Sequence, residues 1–238
     1  MAAYYLNRAK EWGKEVVIVR KQDDLPLDFS IDDLEKSRKN RLEEKSWMTD
    51  ETISDGSWCY TEDLRIKPTK DVVHVLIDIV SKNGVLLLNV SPKSDGTIPP
   101  DQQKVLLEMG QWLDRYGESI YDTRPWYTFG EGPTKEPEGN FKNHRAFLKI
   151  KYSAKDVRYT TKGESIYVTF LGWPESGKVL LKSFSKSELP ETLKIKSIKL
   201  LGSEETVKWK LNSDGLSLDI SEGKVSEIAT VFKIDLKK

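Results

Sequence analysis

At 238 residues the chain has room for one large domain or two ordinary ones. Its composition, 37% hydrophobic and 32% charged, supplies a sizeable core and excludes global disorder. The 38 basic and 38 acidic side chains cancel, so the basic surplus that a nucleic-acid or anionic-membrane partner needs is missing.

Cys59 is the only cysteine, so no intrachain disulfide can form. Two histidines, His74 and His144, without a Cys/His cluster argue against zinc, and no cofactor is expected. The longest apolar stretch, Val85 to Val90, is too short to cross a bilayer. Met1-Ala2-Ala3 leads into an amphipathic segment rather than a cationic and then apolar leader. On that pattern no signal peptide is expected, and a cytoplasmic address is the default.

The first half alternates helical and strand-like periods. Ala2 to Gly13 reads as a helix, with Tyr4, Tyr5, Ala9 and Trp12 at near-helical spacing. Val16 to Val19 follows as an all-apolar strand of the kind covered on both faces. Thr69 is placed to cap a helix from Lys70 to Lys82, and Asn83-Gly84 ends it with residues that tolerate left-handed geometry. Val85 to Val90 is a second fully buried strand by the same reasoning. Pro99-Pro100 then opens a helix whose core face is Val105, Leu106, Met109, Trp112, Leu113 and Tyr116, ended by Gly117. Helix, buried strand, helix, buried strand, helix is the rhythm of a parallel α/β fold.

Beyond residue 125 the period changes. Residues 126–145, rich in Pro, Gly and Glu, read as a linker. Seven short alternating runs follow: Val157–Tyr159, Ser165–Leu171, Lys178–Phe184, Leu193–Leu201, Val207–Leu211, Leu216–Ile220 and Ile228–Ile234. Turn signals separate them at Lys162-Gly163, Glu175-Ser176-Gly177, Asp214-Gly215 and Glu222-Gly223. That spacing suits an antiparallel sandwich over residues 146–238.

In α/β barrels the chemistry sits just after the strands. Three segments qualify: Arg20 to Pro26, Trp47 to Tyr60, and Asn89 to Lys93. The middle one sets Trp47, Trp58 and Tyr60 among Asp50, Glu51 and Asp55. Aromatic faces stack on the C–H face of a sugar, and carboxylates bind hydroxyls or run acid/base chemistry. Composition alone favours core tryptophans beside a polar turn. His74 reads as a satisfied core histidine, and Cys59 as a buried, inert thiol.

These segments, in this order, resemble the α-L-fucosidases of glycoside hydrolase family 29. The resemblance is carried by Tyr4 to Asn7, Lys21 to Pro26, Asp33-Leu34-Glu35, Ser46 to Tyr60, and Asp78 to Gly84 running through Leu87-Leu88-Asn89-Val90-Ser91-Pro92 to Asp95-Gly96-Thr97-Ile98-Pro99. Gly110 to Leu113, Gly117 to Tyr121 and Arg124-Pro125-Trp126 complete it. It implies a partial (β/α)8 TIM-like barrel over residues 1–125, followed by the β-sandwich, and retaining hydrolysis of α-L-fucosides. Retention takes two carboxyl groups roughly 5 Å apart, one a nucleophile and one an acid/base. In the family the nucleophile is an aspartate upstream of the Tyr-Tyr-Leu-Asn helix, so the expectation is that this chain lacks it and is inactive alone. A complete barrel takes about 250 residues, twice what residues 1–125 supply.

Where some members carry Trp-Glu, this chain has Trp47-Met48, and a thioether transfers no proton. Glu35 is then the acid/base candidate, with Glu51 and Glu44 as alternatives. Trp58, Lys21, Arg20 and Trp47 are the substrate-binding candidates. The implied partners are a fucosylated glycan and either an N-terminal barrel half or a second copy meeting the open barrel edges. Alternatives are a non-catalytic carbohydrate-binding protein and a truncated gene product.

Overall fold

The computed structural model describes residues 1–139, 144–189, 193–204, 206–220 and 225–237. Helix α1 (Ala2–Trp12) stops at Gly13, whose φ of 61° closes a left-handed cap. Four short strands follow: β1 (Val19–Arg20), β2 (Ile31–Asp32), β3 (Trp47–Thr52) and β4 (Gly84–Asn89). β1 pairs with β2 and β3 with β4, both parallel, and a parallel bridge from Asp33 to Met48 joins the pairs. The result is an arc of parallel strands in sequence order, a partial (β/α)8 barrel.

Helices α2 (Thr69–Ser81) and α3 (Pro100–Tyr116) cover the convex side of the arc. Ile53, Val72 and Val105 form the buried contact, and Leu88 of β4 packs against them. Residues alternate faces along a strand, so Val85 and Leu87 turn to the concave side. They are 54% and 55% exposed, and β4 is therefore covered on one face, not both. The apolar run Val16–Val19 is also less buried than its composition suggests: only Val19 is in strand geometry, and Val17 is exposed. Thr69 opens α2 without capping it, because its hydroxyl donates to the Glu108 carboxylate on α3. Asn83 takes the left-handed geometry expected of it, at φ 68°.

The second unit is two antiparallel sheets. Strands β5 (Arg124–Glu131), β6 (Val157–Lys162), β7 (Ser165–Phe170), β12 (Thr230–Leu236) and β9 (Ile195–Leu200) make one in that order. β10 (Lys208–Asn212), β11 (Gly215–Asp219) and β8 (Lys178–Leu181) make the other. Their facing sides share a core that includes Tyr159, Phe170, Phe184, Leu218 and Phe232. All seven alternating runs carry a strand; the Glu222-Gly223 turn lies outside the described residues. The segment expected to begin the linker is instead the strand β5. A register break between Pro125 and Gly130 interrupts its alternation, which hides it from a period-2 reading. A short helix, α4 (His144–Phe147), precedes β6.

The two units are welded. Val73, Ile77, Trp112 and Tyr116 of the helices pack on Tyr167, Leu171, Ala229 and Val231 of the five-stranded sheet and its borders. Beside this contact lies a buried charge network. Asp78 of α2 accepts from Lys82 Nζ at 2.7 Å and from Arg158 Nε of β6 at 2.6 Å. Arg38 stands 3.5 Å from Asp78 and 3.6 Å from Glu136, which also takes hydrogen bonds from Lys82 and Tyr152. Every charged member is at most 4% exposed.

Candidate functional site

Parallel strands deliver their following residues to one end of the arc. Lys21 follows β1, Asp33 and Glu35 follow β2, and Asp50 lies on the concave side of β3, in register with Leu87. The Lys21 ammonium sits 3.2 Å from Asp33, 3.1 Å from Glu35 and 3.0 Å from Asp50. Asp33 also accepts the backbone N–H groups of Glu35 and Asp50, which ties the β2 loop to β3. Gln22, Asp23, Glu35 and Lys36 all have positive φ, between 28° and 64°. Non-glycine residues in that region store strain, and here they flank the carboxyl cluster on both sides.

Three carboxylates around one ammonium leave excess negative charge. Burial and the neighbouring Asp33 accordingly push the Asp50 carboxyl up, against the opposing pull of Lys21. Burial would lower Lys21, but its hydrogen bonds to Asp50, Glu35 and Asp33 outweigh that and raise it, so it stays a cation.

Lys36, whose backbone N–H donates to the Asp50 carbonyl at 2.8 Å, connects the cluster to Trp58. Lys36 Nζ lies 4.1 Å from its ring centroid and donates to the Gly56 carbonyl at 2.7 Å. Burial holds the Lys36 pKa below its usual value. At the end of β4, Asn89 donates to the Trp58 carbonyl at 3.0 Å, and Ser91 does the same. The arrangement is an acid cluster next to a half-buried indole at the mouth of an open barrel. Among the described residues, no cluster of His, Cys, Asp and Glu is suited to a metal ion.

Lys21, Glu35 and Trp58 therefore gather at this mouth. Four other candidates do not. Arg20 turns from the cluster to Asp32 at 2.7 Å, Asp23 at 2.9 Å and the Leu25 carbonyl. Glu51 faces the helices and pairs with Lys67 at 2.9 Å, since it is out of phase with Asp50 on β3. Glu44 is exposed at the amino end of β3, where its carbonyl takes a hydrogen bond from Asn83. Trp47 is 1% exposed; its ring packs on Gly84 and its indole donates to the Lys82 carbonyl at 2.9 Å. It is a core residue. Cys59, expected buried, is exposed in the loop after β3. Asp33 and Lys36 went unassigned in the sequence; the only signal was their place beside Glu35.

The α-L-fucosidase family model matches residues 1–118, and the α-L-fucosidase C-terminal domain model matches residues 151–235. The chain belongs to the α-L-fucosidase family. Tissue α-L-fucosidase of Mus musculus is 33% identical over 178 residues, which are 74% of this chain and 34% of the mouse protein. Its Homo sapiens counterpart is 30% identical over 207 residues, 85% of this chain and 39% of the human one. The crystal structure of Thermotoga maritima α-fucosidase in complex with fucose superposes with a TM-score of 0.70 at 25% identity. It covers 98% of this chain and 47% of the Thermotoga chain. The chain thus spans between a third and a half of the length of these relatives, and its partial barrel plus β-sandwich matches part of their architecture.

Proposed function

We propose that the chain contributes one side of the active site of a retaining α-L-fucosidase. The observation that supports this is the Lys21–Asp33–Glu35–Asp50 cluster at the barrel mouth, connected to Trp58 through Lys36, in a chain of this family. Glu35, on the loop, gives a proton to the leaving glycosidic oxygen and later withdraws one from water. Lys21 holds it by an ion pair at 3.1 Å, and Trp58 offers a stacking face to the sugar. The nucleophilic carboxylate comes from a barrel segment other than β1–β4, so residues 1–238 alone do not turn over substrate. Val85 and Leu87, apolar and exposed on the concave face, support pairing of the open arc with the complementary barrel half or with a second copy.

The test is hydrolysis of an aryl α-L-fucoside by the 238-residue protein, alone and mixed with a barrel half that carries the remaining strands. Turnover is expected only in the mixture, and Glu35→Gln or Lys21→Met in this chain should reduce it at least about 100-fold. Robust turnover by the chain alone would overturn the reading, as would full activity of the Glu35→Gln mixture.

A further inference from the structure

A cleft lies away from the barrel mouth, where the first turn of α2 meets the sandwich. Its volume is about 690 Å³. Phe170 and Leu181 form the floor, and Trp173 lines it from the β7–β8 loop. Lys70, Lys155 and Glu175 stand around the rim. Gly172, at φ 144°, lets this loop lie close to Ala154: a Cβ added there would come within 3.1 Å of the Ala154 Cβ.

Two features bear on what the cleft takes. First, its chemistry is open. Among the described residues, nothing accepts a hydrogen bond from the Trp173 indole N–H, and Lys70 Nζ, Lys155 Nζ and the Glu175 carboxylate make no hydrogen bond or ion pair. Glu131, by contrast, is already held by Ser183 and the Lys182 backbone N–H. Second, lysines and glutamates line it together, so it offers no concentrated charge for a phosphate or a cation. A half-buried indole with unpaired donors and acceptors around it suits a neutral, hydroxyl-rich ligand with an apolar face.

We propose that this cleft is a saccharide-binding site of the sandwich, separate from the barrel mouth. It holds a short neutral oligosaccharide, with a pyranose against Trp173 and hydroxyls on Lys155 and Glu175. The choice of a sugar rests on the fucosidase reading; the site itself does not need turnover. Lys70 opens α2, which begins at the end of the barrel where the strands finish.

The experiment is a titration of the 15N-labelled 238-residue protein with L-fucose, lactose and 2′-fucosyllactose. The indole N–H signals are read, with Trp173 assigned by the loss of its peak in Trp173→Phe. A saturable shift of the Trp173 signal is expected with at least one oligosaccharide. The surface pair Lys155→Ala/Glu175→Ala, which leaves the packing of Trp173 intact, should weaken binding about tenfold, and Trp58→Ala should change it less than about twofold. No saturable shift at Trp173, or binding untouched by the surface pair, would overturn the proposal. Turnover in the two-half assay without any Trp173 shift would sink this site and leave the proposed function standing. A Trp173 shift without turnover would do the reverse.

Discussion

Asp78 offers the most decisive test of how the two units are held together. It is fully buried and touches three cations: Lys82 at 2.7 Å, Arg158 at 2.6 Å and Arg38 at 3.5 Å. Asp78→Asn keeps its shape and removes its charge. Glu136 would then be the only carboxylate facing those three cations within the network. Breaking a buried ion pair from one side costs about 3–5 kcal/mol, because the remaining charge has lost both water and partner. For a chain of this size each kcal/mol moves Tm by about 2–4 °C, so a drop of roughly 6–20 °C is expected. Burial alone would raise the Asp78 pKa; Lys82, Arg158 and Arg38 outweigh it and hold the carboxyl well below the usual range. A depressed carboxylate stabilises the fold above its unfolded pKa of about 3.9, and the contribution fades as pH falls through the folded value. The deficit of the variant should therefore be full at neutral pH and shrink in acid. Urea unfolding at pH 7, followed by circular dichroism, measures it. Asp122→Asn is the control, since its pair with Lys162 at 3.3 Å is exposed and should cost less than about 1 kcal/mol. If Asp78→Asn costs no more than the control, the network does not hold the units together as argued.

Gly84→Ala places a methyl carbon 2.6 Å from the Trp47 ring and 2.7 Å from Ile79, so it should cost about 1–3 kcal/mol by overpacking. An unchanged urea midpoint would show that the β3–β4 contact can yield. Burial lowers the pKa of His74 to about 4, although its hydrogen bond to the Ile228 carbonyl opposes the shift. A histidine titrating lower in the folded state binds fewer protons than the unfolded chain between the two pKa values, so it loses stability as pH falls through that window. The loss from this group should reach up to about 3 kcal/mol between roughly pH 6.5 and 4. An NMR titration of the His74 ring with its midpoint near 6.5 would refute this.

Much of the architecture was legible along the chain because its signals are local. Asn83 and Gly13 announce left-handed helix ends by their own backbone preferences. The spacing of Val105, Trp112 and Tyr116 marks one side of α3, and period-2 alternation locates seven sandwich strands. The ordered motifs from Tyr4 to Pro99 disclosed the family. What stayed hidden was decided by partners distant in sequence. Trp47 and Trp58 look equivalent in the string; packing against Gly84 buries one, and Lys36 and Asn89 hold the other at the mouth. Glu51 and Asp50 are neighbours, yet strand alternation sends one to Lys67 and the other to Lys21. Val85 and Leu87 are as apolar as a core strand and still exposed, since burial depends on what lies opposite and not on the residue. Lys21 meets Asp50 across 29 positions and Asp78 meets Arg158 across 80, and no local period encodes such distances. Local sequence set the elements and their ends; only the folded chain decided which charges share a site.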